Sequence, residues 1–234
     1  MPRDYPMARI LKELKYAVRR NEILDAAQRL VYTKGYEQMT IQDILDDLQI
    51  SKGAFYHYFD SKTALLETLT ERMLQEAIQI ITPIIEDPHL SALEKFQRYF
   101  NTVASWKTAR KTLMLALLRV WYTDDNAIVR QKVTSNSLKR ITPQLTAIIR
   151  QGAQEGVFKT PYPDQVCEVV FSIMLGLGDR LAEALLAHNS EKDTLQAMQN
   201  AVAAYTDALE RILVAPSGCL QLIDDESLKE WVTP

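Results

Sequence analysis

Apolar residues fall at helical spacing in segment after segment of this chain. Ile10, Leu11, Leu14 and Val18, followed by Ile23, Leu24, Ala27 and Leu30, predict a first helix that begins well before Arg19. Gly35, just after Lys34, ends it. Ile41, Ile44, Leu45 and Leu48 predict a short helix capped by Thr40, with Asp43 in its first turn. Gln49-Ile50 is a tight connection, and Ser51 is an N-cap for a second short helix starting at Lys52. There Phe55 and Phe59 point inward, while Lys52, Gly53, Ala54, Tyr56, His57 and Tyr58 offer small or hydrogen-bonding groups. Two short helices joined in this way, the second carrying polar groups outward, are the pattern that enters a DNA major groove.

The rest of the chain continues in the same period. Ser61 caps a long helix from Lys62 to about Ile81, which Pro83 stops or kinks. Asp87-Pro88-His89 is a loop, Ser91 caps a helix to about Lys107, and the apolar stretch 110–122 is buried. Another helix follows Asp124, with Thr142-Pro143 either kinking it or capping a new segment; the run LTAIIRQGAQEGVF ends at Gly156. Pro163-Asp164 opens a helix to about His188, and Ser190 opens the last long one, to about Val214. The segment after Pro216 is an appendage with a turn of helix around 227–231.

Seven glycines in 234 residues, abundant Leu and Ala, and few β-branched runs predict an all-α fold. Cys167 and Cys219 form neither a disulfide framework nor a zinc pattern. The charged N-terminus lacks the apolar run of a signal peptide. Charged Glu168, Asp179, Arg180 and Glu183 break the most apolar stretch, 166–186, so the chain is expected in the cytoplasm with no membrane partner. His57, His89 and His188 are scattered, and neither a metal-binding motif nor a phosphate-binding loop occurs. No enzyme activity, catalytic residue, metal or cofactor is therefore expected. Asp124-Asp125 and Asp224-Asp225-Glu226 read as capping or solvated charge rather than cation ligands.

A net charge of −3 looks unsuited to nucleic acid, but local charge governs that affinity. Residues 1–20 hold six bases (Arg3, Arg9, Lys12, Lys15, Arg19, Arg20) against Asp4 and Glu13. Lys34, Lys52 and Lys62 extend this rim, while Asp43, Asp46 and Asp47 oppose it. The basic run also reads as a solvated helix face.

From Arg19 to Leu69 the chain closely resembles the DNA-binding region of the TetR/AcrR family of bacterial transcriptional regulators. The matching landmarks are Ile23, Ala26-Ala27, Gly35-Tyr36, Thr40, Asp43-Ile44, Ile50-Ser51, Gly53, Tyr56, Phe59, Lys62 and Leu65-Leu66. Leu45 and Leu48 stand where the family usually has Ala, and Tyr58 where it often has His. Gln49 replaces a turn Gly; a non-Gly residue at positive φ costs about 1 kcal/mol, so a slightly different turn geometry is expected.

The resemblance implies an N-terminal three-helix helix-turn-helix domain, 1–62, a helical effector-binding and dimerisation domain, 63–215, and the appendage 216–234. It implies a homodimeric repressor of double-stranded operator DNA, released by a small-molecule effector. Thr40, Tyr56 and Lys62 would hold phosphates, with Lys52, Gly53, Ala54 and His57 toward the groove and Ser51 also among the DNA-binding residues. Two recognition helices would lie one DNA turn apart, about 34–36 Å.

An apolar or aromatic effector is suggested by Phe100, Val103, Trp106, Met114, Leu117, Leu118, Trp121 and Tyr122, with Phe96 and Tyr99 nearby. The same stripe also reads as ordinary core. Arg119, Asn136 and Asp179 would orient a ligand or pair internally. Ile173, Gly176, Leu177, Arg180, Leu181 and Ala184 trace one helix face, and Gly176 and Gly178 mark close packing there. With Tyr205 and Leu209 of the last long helix, this face is the dimer seam the resemblance implies; the alternative is packing within one chain. Effector-independent DNA binding, as an activator or architectural protein, and small-molecule binding without an operator remain rival readings.

Overall fold

A computed structural model describes residues 5–187 and 189–233, with side chains from Arg9 onward. The base Arg3, the acid Asp4 and His188 lie outside the described residues. The described residues form helices and no strand: α1 (Tyr5–Lys34), α2 (Ile41–Leu48), α3 (Lys52–Tyr56), α4 (Lys62–Glu86), α5 (Ala92–Thr108), α6 (Lys111–Trp121), α7 (Ala127–Gln154), α8 (Val166–Leu186), α9 (Glu191–Leu213) and α10 (Asp225–Val232). A short 3₁₀ turn, Asp124–Asn126, precedes α7. The chain divides into two compact units, Met1–Met73 with Thr112–Arg130 and Leu74–Lys111 with Gln131–Pro234. The 62/63 boundary expected from the sequence falls inside the first unit, because the opening turns of α4 bury Leu65, Leu66 and Leu69 there.

In the first unit α1 ends at Gly35, whose φ of 77° is the left-handed conformation glycine tolerates. Its second half buries Ile23, Leu24, Ala26, Ala27 and Val31. Ile10, Leu11, Leu14 and Val18 behave differently: they stay exposed, because the short helices α2 and α3 cannot cover the whole of a 30-residue helix. Polar contacts fix α4 on α1. The Arg20 guanidinium donates to Thr68 at 3.1 Å, and Arg72 reaches Asp25 at 2.6 Å and also Gln28.

The second unit is built on a core that draws Phe96, Tyr99 and Phe100 of α5, Ile148 and Ile149 of α7, Cys167 and Val170 of α8, and Leu209 and Leu213 of α9. Prolines lie inside two helices rather than ending them, Pro83 in α4 and Pro143 in α7. Each removes a donor to the carbonyl four residues back, and both carbonyls, of Gln79 and Lys139, belong to exposed residues that water can reach. α7 closes in a Schellman arrangement. Gly156 (φ 75°) donates to Ala153 O at 3.2 Å and Val157 to Gly152 O at 3.0 Å.

The segment after Pro216 is not a loose appendage. Leu220, Leu222 and Leu228 are buried in the core of the second unit. The buried Glu210 carboxylate accepts from Gly218 N and Leu220 N, both at 2.9 Å, which fixes the chain as it leaves α9. Gln97 and Gln221 then bond reciprocally, the Trp231 indole donates to Thr108 at 3.0 Å, and Lys111 donates to Glu230 O at 2.9 Å. Apolar spacing alone did not reveal this, since Leu220 and Leu222 sit in irregular chain and Leu228 in a helix of only eight residues.

Candidate nucleic-acid interface

The helix-turn-helix is assembled by local capping. Thr40 Oγ1 accepts from Asp43 N at 3.1 Å, and Asp43 Oδ2 accepts from Thr40 N at 2.9 Å, a reciprocal box at the start of α2. Lys34 Nζ donates to the other Asp43 oxygen at 2.6 Å. The Lys34 bond and the Thr40 amide together hold the Asp43 carboxyl down at about 2. Lys34 is thereby committed to an acid and contributes less to the basic rim than its sequence position suggests. Arg29 is similarly engaged with Asp47 at 2.7 Å.

The turn between α2 and α3 is left-handed at Gln49, with φ 52° and ψ 46°. Ile50 N donates to Leu45 O at 3.0 Å, and this bond with the burial of Leu45 holds Gln49 against its backbone preference. Ser51 Oγ accepts from Ala54 N at 3.2 Å and starts α3. Phe55 (0% exposed) and Phe59 (3%) anchor the helix from beneath.

Ser51, Lys52, Gly53, Tyr56 and His57 are consequently exposed on one side of α3, with Ala54 partly so. A Cβ built on Gly53 meets only Ser51 Oγ, at 4.0 Å, so nothing in the fold demands a glycine there. Lys52 Nζ lies 6.0 Å from the Tyr56 ring centroid. Lys62 at the start of α4 is half-buried over the Tyr36 ring at 4.4 Å and donates to Glu37 O at 3.1 Å; burial lowers its pKa. Tyr36 in turn donates to Lys62 O at 3.1 Å. Thr40 is exposed beside its cap.

The residues expected to line an effector chamber divide between the two units. Met114, Leu117, Leu118, Trp121 and Tyr122 belong to the first, where Leu117 is buried and Tyr122 is exposed with Arg130 5.6 Å from its ring. Phe100, Val103 and Trp106 belong to the second. Phe100 is core, packed on Phe96 at 4.8 Å and Tyr99 at 5.1 Å, and Val103 packs against the same core. Trp106 instead lines a shallow cleft, broadly open to solvent and of about 440 Å³, with Ile80, Asn101, Thr102 and Ser105. The Arg110 guanidinium covers the Trp106 ring at 4.4 Å and lies 3.5 Å from Glu76. Sequence reasoning missed Asn101, Thr102 and Ser105; the available signal was their i, i+1, i+4 spacing beside the aromatic positions Phe100 and Trp106 of α5. Arg119 is exposed, and Asn136 and Asp179 are not in that cleft lining.

On α8 and α9 the expected dimer residues take several positions. Leu177 and Leu209 are in the unit's own core, and Ile173, Leu181, Ala184 and Tyr205 pack against it. Gly176 faces Tyr205 of the same chain, whose hydroxyl would be 3.0 Å from an added Cβ, whereas Gly178 faces open space. Arg180 is exposed and pairs with Glu183 at 2.5 Å.

Comparison with known proteins agrees with this architecture. Residues 23–69 match the family described as bacterial regulatory proteins, tetR family, and residues 118–201 match the tetracyclin repressor-like C-terminal domain. An uncharacterized HTH-type transcriptional regulator in the lacX 3' region of Lactococcus lactis subsp. lactis is 51% identical over 43 residues, 18% of this chain and 22% of that protein. The uncharacterized HTH-type transcriptional regulator YfiR of Bacillus subtilis (strain 168) is 20% identical over 192 residues, 80% of this chain and 89% of that one. The solved structure of a TetR-family transcriptional regulator from Pectobacterium atrosepticum shares the fold at a TM-score of 0.63 and 17% identity, over 87% of this chain and 98% of that one. The chain belongs to the TetR family of bacterial regulatory proteins, a family of DNA-binding, helix-turn-helix transcription regulators. Among the described residues no helix is long and apolar enough to cross a membrane.

Proposed function

We propose that this protein is a homodimeric, sequence-specific repressor in the bacterial cytoplasm that leaves its operator when a small apolar or aromatic molecule binds its second unit. The observation that carries the DNA-binding part is the exposed surface from Ser51 to His57, held outward by the buried Phe55 and Phe59. Lys52, Gly53, Ala54 and His57 read base edges, and Thr40, Tyr56 and Lys62 hold phosphates. The α8–α9 pair packs against its twin along its exposed margin, which includes Val169, Leu175 and Arg180. The Trp106 cleft, with hydroxyls and an amide beside an indole, suits a planar effector carrying a polar group. Such a ligand acts by binding the DNA-free state more tightly.

Footprinting of the region upstream of the protein's own gene tests this reading. Protection of a palindrome supports it, and absence of any protected duplex overturns it. The core position of Phe100 favours a second reading, an effector-independent DNA-binding activator or architectural protein. A screen of small aromatic molecules for loss of the footprint separates the two.

A further inference from the structure

α1 continues as one helix N-terminal to the family-matched region, which begins at residue 23. Tyr16, on that continuation, reaches across to the end of α3. Its ring lies 5.6 Å from the His57 ring at an interplanar angle of 81° and 4.8 Å from the Tyr58 ring at 40°. His57 and Tyr58 meet edge to face at 5.0 Å and 79°. The imidazole is therefore held by two tyrosine rings in arrangements that aromatic quadrupoles favour. Among the described residues no hydrogen bond engages its ring nitrogens, and the residue is exposed. The backbone beneath is fixed as well, since His57 N donates to Gly53 O at 3.1 Å. A side chain with both nitrogens available, but with its ring orientation set from outside α3, is suited to discriminate one base edge from another.

We propose that Tyr16 is a specificity-determining positioning residue that sets the orientation of His57 for base readout. The inference rests on the reading of α3 as the groove-facing helix. Tyr16 acts through His57 and touches no base itself. A ring-edge contact of this kind biases orientation by about 2- to 10-fold, which bounds the discrimination that Tyr16 supplies.

The test begins with selection of duplexes from a random library by the full-length wild-type chain. Affinities are then measured for the best duplex and each single-base-pair variant. His57→Ala is expected to flatten preference at one base pair per half-site. Tyr16→Ala is expected to lose about 2- to 10-fold of discrimination at that same pair and none elsewhere. Tyr16→Phe keeps the ring and should retain wild-type preference, whereas Tyr16→Leu fills space without a ring and should behave like Tyr16→Ala. The double variant Tyr16→Ala/His57→Ala should match His57→Ala alone. Equal weakening on every duplex, additivity in the double variant, or a Tyr16→Phe that behaves like Tyr16→Ala would each overturn the proposal. Failure of the wild type to select any motif would overturn the DNA-binding reading itself. A selected motif that Tyr16→Ala leaves unchanged would overturn only the role of Tyr16.

Discussion

Gly152→Ala in α7 sets two opposed effects against each other. In an open helix the change is favourable by about 1 kcal/mol, because alanine restricts the unfolded chain and fits the helix. Here the added Cβ would lie 2.1 Å from Phe158 Cδ2, 2.7 Å from Cε2 and 2.9 Å from Cγ. Comfortable carbon contacts are about 3.5–4.0 Å, so the ring must withdraw by more than an ångström. It has little room to do so. Phe158 is 1% exposed and packs edge-on against Phe96 at 5.9 Å. Its own amide and that of Val157 both donate to Gly152 O at 3.0 Å, tying ring and helix end together. Overpacking of this kind costs about 1–3 kcal/mol, and an encounter with the body of a buried ring belongs at the upper end. Subtracting the propensity gain leaves a net loss of about 1–2 kcal/mol, a fall in Tm of roughly 2–8 °C for a domain of this size. Gly53→Ala is the control, because its added Cβ meets only Ser51 Oγ, at 4.0 Å, and it belongs to α3 rather than to the α8–α9 face. Thermal unfolding of the free protein followed by circular dichroism should show Gly152→Ala melting below wild type and Gly53→Ala at or above it. A Gly152→Ala protein as stable as the control would refute the packing argument.

Three further outcomes concern the DNA-binding head. Asp43 has a folded-state pKa near 2 against an ordinary 3.8, so its capping contribution is complete above about pH 4 and is lost as pH falls toward 2; carbon-detected NMR titration should find that low midpoint, and one near 3.8 would contradict the Lys34 and Thr40 bonds. Gly53→Ala should raise stability by up to about 1 kcal/mol yet weaken operator binding, and unchanged affinity in fluorescence anisotropy would remove Gly53 from the contact surface. Lys62→Ala should weaken binding to all duplexes and make the log K versus log salt slope shallower by about one, whereas loss confined to particular sequences would argue against a phosphate contact.

Much of the fold was legible because it is specified locally. The Thr40–Asp43 and Ser91–Glu94 boxes and the Ser51 and Ser190 caps all close over three residues, so the spacing carries them. The exposed side of α3 followed from the inward anchors Phe55 and Phe59. Features that depend on distant partners were not legible. Periodicity could not say that Gly176 would meet Tyr205, nor that Phe100 would be core while Trp106 faced a cleft, since both aromatics fit the same stripe. Pro83 and Pro143 illustrate the same limit: whether a proline ends a helix depends on where the freed carbonyl points.

The docking of α10 also bears on the order in which the chain is made. Synthesis delivers residues from the N-terminus, and domains fold as their parts emerge. The sockets on the second unit stay empty until Leu220, Leu222, Leu228 and finally Trp231 have left the ribosome. Until then α5 and α9 show water the apolar surface that these side chains will cover. The second unit is therefore expected to complete its folding only after translation has passed α10, and a stalled or prematurely released chain lacking that helix would be a target for chaperones or self-association.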